Sequence, residues 1–330
     1  MAAATQVQAL QRSTDLWFPN ANLILRAENT LFRVLSDILA ARSSVFRDMV
    51  TFPQPDEETE VLEGCPVVCI HDSAAEAEVF LKAVFDSSFF MPPPSKVEFN
   101  TVIGVLRLAH KYDVEYLCRR ALEHLDSLYP VSFDTFRTAY DYPNYSVNYL
   151  DVVDINLIVL RVASEIGALW LLPAAYYCIC SYPVEEIVAS GQAWSSLIPQ
   201  MQHKCLAAVP QLIRTTARAH GFLLTLQSAE RRGLCYSLEL CEDAISDAQK
   251  ILLDWSDYNR DDERTELDPL GHGLFSYMEL DEELCGVCSE FAKTEHLAVQ
   301  NDFWDRLPEL FGLPTWETLI ALREEALGRG

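Results

Sequence analysis

The stretch from Phe32 to Met49, FRVLSDILAARSSVFRDM, changes its apolar rhythm partway along. On either side of Asn29, "LILRA" and "LFRVL" read as extended segments, and the spacing predicts strands over Asn22–Arg26 and Leu31–Leu35 joined by the "AENT" turn. From Ile38 onward the apolar residues fall at helical intervals, interrupted by the pair Ser43-Ser44. Ser36 or Asp37 is placed to cap a first short helix, "DILAAR", and Ser43 or Ser44 a second, "SVFRDMV". A two-stranded hairpin is marginal alone, so it needs a covering layer, and the two short helices are candidates for it.

Downstream, "FPQPDEETEVLEGCP" is dense in proline and acid and reads as a solvated loop. "VVCI" reads as a short buried strand. "AAEAEVFLKAVFDSS" reads as a helix with Val79, Phe80, Ala83 and Val84 on one face. In "VEFNTVIGVLRLAHKYDVEYLCRRALEHLDSLYP", helical spacing runs through Phe99, Val102, Ile103, Leu106 and Ala109. It breaks at Tyr112-Asp113 and resumes through Val114, Leu117, Ala121, Leu122 and Leu125. This is a helical hairpin, ended by Pro130, which lacks an amide hydrogen. Beyond it the texture becomes strongly apolar and helical, with an acidic loop at "SDYNRDDERTELDPLGHG".

The order of these elements, with "LFRVLSDILAARSSVFRDM" at its head, resembles the BTB/POZ domain. In that family a strand enters a helix through F-x-V-H-x-x-x-L-A-x-x-S-x-x-F-x-x-M, and Phe32, Val34, Leu39, Ala40, Ser43, Phe46 and Met49 match. "LRLAHKYDVEYLCRRALEHL" resembles the later helical pair of the family through Leu108, Ala109, Tyr112, Val114, Leu117 and Leu125. The chain departs from the pattern at Leu35, where the family usually has His, and at Asn22, where it often has Asp. The wording of "VFRDMVTFPQP" and "WDRLPELFGLPTWETL" is similar to fungal members that join a BTB domain to a helical C-terminal region. The resemblance implies an α+β fold class in three parts: a flexible lead over 1–13, a BTB/POZ domain over 14–130 and a mostly α-helical domain over 131–330.

Charge and composition bound the function. The 330 residues carry a formal charge of −24. Residues 1–130 hold 18 acids and 11 bases, and residues 131–330 hold 31 acids and 14 bases, so the excess lies mainly in the second part. Such a chain repels phosphate backbones, which argues against nucleic acid as a partner. The opening "MAAATQVQALQRSTD" lacks the basic and apolar regions of a secretory signal. The expected setting is therefore intracellular, cytoplasmic or nuclear, with the ten cysteines as thiols or metal ligands. Ile166 to Val184 is free of charge over a length that can span a bilayer, but Pro173 and Pro183 interrupt it. It reads as two buried helices meeting at Leu172-Pro173, with no membrane partner.

No Gly-rich phosphate loop, H-E-x-x-H or G-x-S-x-G stands in the sequence, and the expectation is a protein that is not an enzyme. Cys285-Gly-Val-Cys288 has the spacing that lets two thiolates bind one zinc ion. With Cys235 and Cys241 it can close a four-thiolate site. A redox pair and ordinary buried thiols are the competing readings. Phe303, Trp304, Leu307, Leu310, Phe311, Trp316 and Leu319 read as the anchor of a terminal helix or as a groove-binding motif.

Three functions follow as expectations. The first is a BTB-mediated scaffold or oligomerisation protein that partners itself or other proteins. The second, implied by the resemblance, is a substrate adaptor of a cullin-type ubiquitin ligase. Many cullin-docking members carry an apolar residue two before a Glu in the loop after F-x-x-M; here that loop is VTFPQPDEE, which holds Phe52 and Asp56 nearby and departs from the pattern. The third is a zinc-stabilised regulatory protein acting through its C-terminal domain.

Overall fold

Strand β2 (Leu23–Ala27) and strand β3 (Thr30–Val34) pair antiparallel, with Leu25 opposite Phe32. This is the hairpin expected from the sequence, seen in a computed structural model that describes residues 9–51, 60–141, 147–148, 153–228, 232–253, 268–271 and 280–329. Glu28, with φ 49°, makes the turn. Period-two alternation puts Ile24 and Leu31 on one face of the sheet and Leu25 and Phe32 on the other, and all four are buried.

The protein is mixed α+β. Three further strands extend the hairpin into a five-stranded sheet of order β1-β3-β2-β5-β4. Strand β1 (Gln11–Trp17) runs parallel to β3 and β5 (Cys65–Ile70) parallel to β2, while β4 (Val61–Leu62) lies antiparallel to β5. Two expectations are corrected here. The lead over 1–13 was expected to be flexible, but Gln11–Ser13 belong to a strand: Ser13 and Leu16 turn inward and Arg12 lies 4.6 Å over the Trp17 ring. The end of the proline-rich loop is likewise a tight hairpin, because Glu63 and Gly64 both hold positive φ and return the chain onto β5.

The joints after the hairpin have separate solutions. Helix α1 (Ser36–Arg42) begins at Leu35, which cannot cap it. Asn22 does so instead from the entry to β2: its Oδ1 accepts from the Ser36 amide at 3.0 Å and its Nδ2 donates to Ser36 Oγ at 2.9 Å. Helix α2 (Ser44–Thr51) is capped by Ser43, whose Oγ accepts from the Phe46 amide at 3.0 Å and donates to the Tyr112 carbonyl. Phe46 then stacks on Tyr112 at 4.5 Å.

Helix α3 (Ala74–Phe85) starts at Ser73, which accepts from the Glu76 amide, and buries Phe80, Leu81, Ala83 and Val84. Helices α4 (Phe99–Lys111) and α5 (Glu115–Asp126) form the expected hairpin across Asp113, whose φ is 54°. The two-residue strands β6 (Val97–Glu98) and β7 (Val147–Asn148) pair parallel.

The chain divides into two compact units. The first takes Met1–Leu128, Tyr145–Tyr149 and Ala326–Gly328, and the second takes Tyr129–Asn144, Leu150–Glu325 and Arg329–Gly330. Among its described residues the second unit is helical. Val153–Ile166 is followed by a 3₁₀ turn over Leu169–Leu171 and then by Leu172–Cys180, with Pro173 in its first turn. No described helix is long and apolar enough to cross a membrane.

The long helix Pro199–Ala219 packs on Leu172–Cys180 and on the long helix Gly286–Asp305. The aromatic tail anchors here: Phe311 stacks on Tyr176 at 4.6 Å, and Trp316 stacks on Trp304 at 5.2 Å. Asp268–Gly271 is fastened to the same core. The Tyr177 hydroxyl donates to the Asp268 carboxylate and accepts from the Leu270 amide, while Gln300 Nε2 donates to the carbonyls of Pro269 and Gly271.

Candidate metal centre

The second unit has a smaller core of its own, made by four helices: Phe222–Leu226, Leu238–Leu253, Leu280–Glu283 and Gly286–Asp305. Phe222, Leu223, Leu226, Ile245, Leu280 and Leu284 fill it, with Ala244, Ala248 and Ala292 at the close approaches. A core built from so few large residues supplies modest stability, which is the setting in which small folds recruit a disulfide or a metal.

At the edge of this core the four expected cysteines converge. Cys241 lies in the first turn of Leu238–Leu253, and Cys235 precedes that helix. Cys285 sits at the start of Gly286–Asp305 with extended backbone, and Cys288 lies in its first turn. The loose spacing of the first pair thus becomes compact in space, because the residues between are a short loop and one helical turn. Cys241 and Cys288 are buried and the other two half-buried. The four sulfur atoms lie within 4.8 Å of one another, and those of Cys235 and Cys285 are 3.7 Å apart.

Zinc–sulfur bonds of about 2.3 Å set the edge of a thiolate tetrahedron at about 3.8 Å. The closest pair is already at that edge, and the widest needs to contract by about 1 Å. The donor set is soft, complete and tetrahedral in number, which fits zinc and leaves no coordination position for a substrate.

The surroundings prepare unequal thiols. Burial pushes Cys285 upward, but the backbone N–H groups of Tyr236 and Cys288 and the thiols of Cys288 and Cys235 outweigh it, bringing Cys285 down to about 6. Burial raises Cys241 to about 11; the Cys285 amide opposes this, and hydrogen bonding of the Cys241 thiol to Cys235 and Cys285 adds to it. Burial, then bonding with Cys285 and Cys235, also holds Cys288 well above an ordinary thiol. The Cys285 amide donates to Cys241 Sγ at 3.2 Å, a contact of the kind that offsets thiolate charge around a metal.

The remaining sequence candidates fall elsewhere. Phe52 and Asp56 lie outside the described residues. Cys180 is buried in the apolar core and Cys178 is half-buried beside it; burial, then the Asp268 charge, raises Cys178 to about 12. His124 is buried with Nε2 2.9 Å from the Met91 carbonyl, and burial lowers its pKa; His110 is exposed. Sequence reasoning missed the pair His220 and His296, whose rings lie 6.0 Å apart with Nδ1 of each against a backbone carbonyl. Burial, then His296, brings His220 down to about 4, so the His220 ring is neutral at pH 7. Their separation of 76 positions in the chain left no signal to find them by.

No protein-family model, curated protein or solved structure matches this chain.

Proposed function

We propose that this is a non-catalytic interaction protein in two working parts: a BTB-type module that brings copies or partners together, and a helical domain closed around one structural zinc ion. The observation that carries the reading is the convergence of Cys235, Cys241, Cys285 and Cys288, drawn from two pairs 44 to 53 residues apart, within 4.8 Å. Cysteines placed by chance in a helical core have no reason to meet four at a time with backbone amides directed at them. Four thiolates saturate zinc, so the ion would hold the two segments together and its binding energy would be folding energy.

The module reading is supported by the order of the first unit: hairpin, two short helices, strand, helix, helical hairpin. Asn22 and Ser43 supply caps at the joints where the family pattern turns from strand to helix and from helix to helix. A redox pair has one observation in its favour, the 3.7 Å approach of Cys235 to Cys285, but it leaves Cys241 and Cys288 without a role.

The test is elemental analysis of the full chain purified without added zinc, with light scattering for mass. One zinc per chain, lost when Cys288→Ser and Cys241→Ser are combined, is the expected result. A stoichiometry near zero in reduced protein overturns the metal reading. A monomer that forms no complex with itself or with the N-terminal domain of a cullin overturns the module reading.

A further inference from the structure

Between the two cysteines of the first pair the sequence runs Leu234-Cys-Tyr-Ser-Leu-Glu-Leu-Cys241. Its even-numbered positions 234, 236, 238 and 240 are apolar, the last two in the first turn of the helix from Leu238, and all four are exposed. Leu234 is 55% exposed, Tyr236 81%, Leu238 44% and Leu240 68%. Cys235 and Ser237 are half-buried, Glu239 is exposed, and the helix from Leu238 buries Cys241, Ala244, Ile245 and Ala248 against the small core. The core of the chain therefore makes little use of this strip, and four large apolar side chains within seven positions stand in water.

Negative charge predominates around the strip, with Arg231 and Arg232 at its leading end. Within three residues of a cluster cysteine stand six acids, Glu239, Glu242, Asp243, Glu282, Glu283 and Glu290. The same windows hold a single base, Arg232, already paired with Glu242 at 3.0 Å. An apolar strip bordered by carboxylates complements a segment that alternates apolar and cationic side chains. A second copy of the chain would bring the same carboxylates face to face, and a phosphate-bearing surface would be repelled.

We propose that Leu234–Leu240 is a docking surface for a basic amphipathic segment of a protein partner, held in its presenting shape because zinc pins it through Cys235 and Cys241. This rests on the metal-centre reading. Tying both ends of the loop to one ion removes its freedom before the partner arrives, so the ordering cost of binding falls.

The experiment is a selection of displayed 16-residue peptides on the full zinc-loaded chain, counter-selected on the Leu238→Ser/Leu240→Ser chain, with zinc content measured on both. The expected result is enrichment of peptides carrying Lys or Arg among apolar residues at helical spacing. A synthetic peptide from that set should bind the double variant at least tenfold more weakly and bind a Val61→Ser chain, altered in the other unit, unchanged. Added salt should weaken its binding. No enrichment, enrichment of acidic peptides, or binding indifferent to the double variant, with zinc retained, overturns the docking surface alone. A doubled mass in light scattering that the double variant abolishes also overturns it and gives the strip to a second copy. Absence of zinc from both chains overturns the metal reading and with it the pinned loop.

Discussion

Zinc affinity should depend on pH in a way set by the unequal thiols. A zinc ion takes thiolates, so every ligand that is protonated in the free site must give up its proton, and each displaced proton makes affinity change tenfold per pH unit. At neutral pH Cys285, brought to about 6, has already ionised, whereas Cys241, raised to about 11, and Cys288, raised further, have not. At least two protons are therefore displaced. Lowering the pH from about 7.5 to about 6.5 should weaken apparent zinc affinity at least about 100-fold, which at 1.36 kcal/mol per unit for each proton is about 2.7 kcal/mol. Were the metal-free unit unfolded, all four thiols would return toward about 8.5 and the dependence would steepen toward fourth order. Both cases exceed two. Competition against a chromophoric chelator of known pH behaviour, on the reduced full chain, measures the slope. A dependence of tenfold or less per pH unit would refute the four-thiolate assignment, because one displaced proton cannot serve two neutral buried thiols.

Three substitutions test the packing and capping arguments. Phe46→Ala removes a fully buried ring stacked on Tyr112 and should cost about 3–5 kcal/mol, read as a lower urea midpoint for the first unit. Asn22→Ala removes both bonds to Ser36 and should cost about 1–2 kcal/mol in the same assay, whereas Asn22→Asp keeps the acceptor and should recover part of it. Tyr177→Phe removes one hydrogen bond from the Leu270 amide and one from the Asp268 carboxylate. It should cost about 1–3 kcal/mol and speed proteolysis near Asp268; an unchanged digestion pattern would mean the hydroxyl is not what fastens that segment.

Periodicity made much of the first unit legible. The hairpin, α1, α2, α3 and the helical pair α4–α5 all follow from apolar spacing punctuated by Ser, Asp and Pro. The misses were places where local sequence understates a tertiary partner. Gln11–Trp17 is polar at most positions and becomes a strand because β3 offers it a free edge. Asn22 caps a helix that begins 14 residues later, beyond any local capping motif. In the candidate site, C-x-x-C was visible because its spacing is a recognised ligand pattern, while the role of Cys235 with Cys241 depended on a loop and a helical turn folding between them. The exposure of Leu234, Tyr236, Leu238 and Leu240 was not legible, because their spacing does not say which side of the loop and helix faces the core.

The first unit includes Ala326–Gly328, where a Cβ added to Gly328 would meet the Arg119 guanidinium at 2.9 Å. Those residues follow nearly all of the second unit in the chain, so order of synthesis and order of assembly disagree. Residue 328 is made 200 residues after residue 128, a delay of about 10–40 s at about 5–20 residues per second. Through that interval the nascent first unit carries α5 without its final neighbour. It acquires that neighbour only after Cys235, Cys241, Cys285 and Cys288, made earlier, have been free to meet one another.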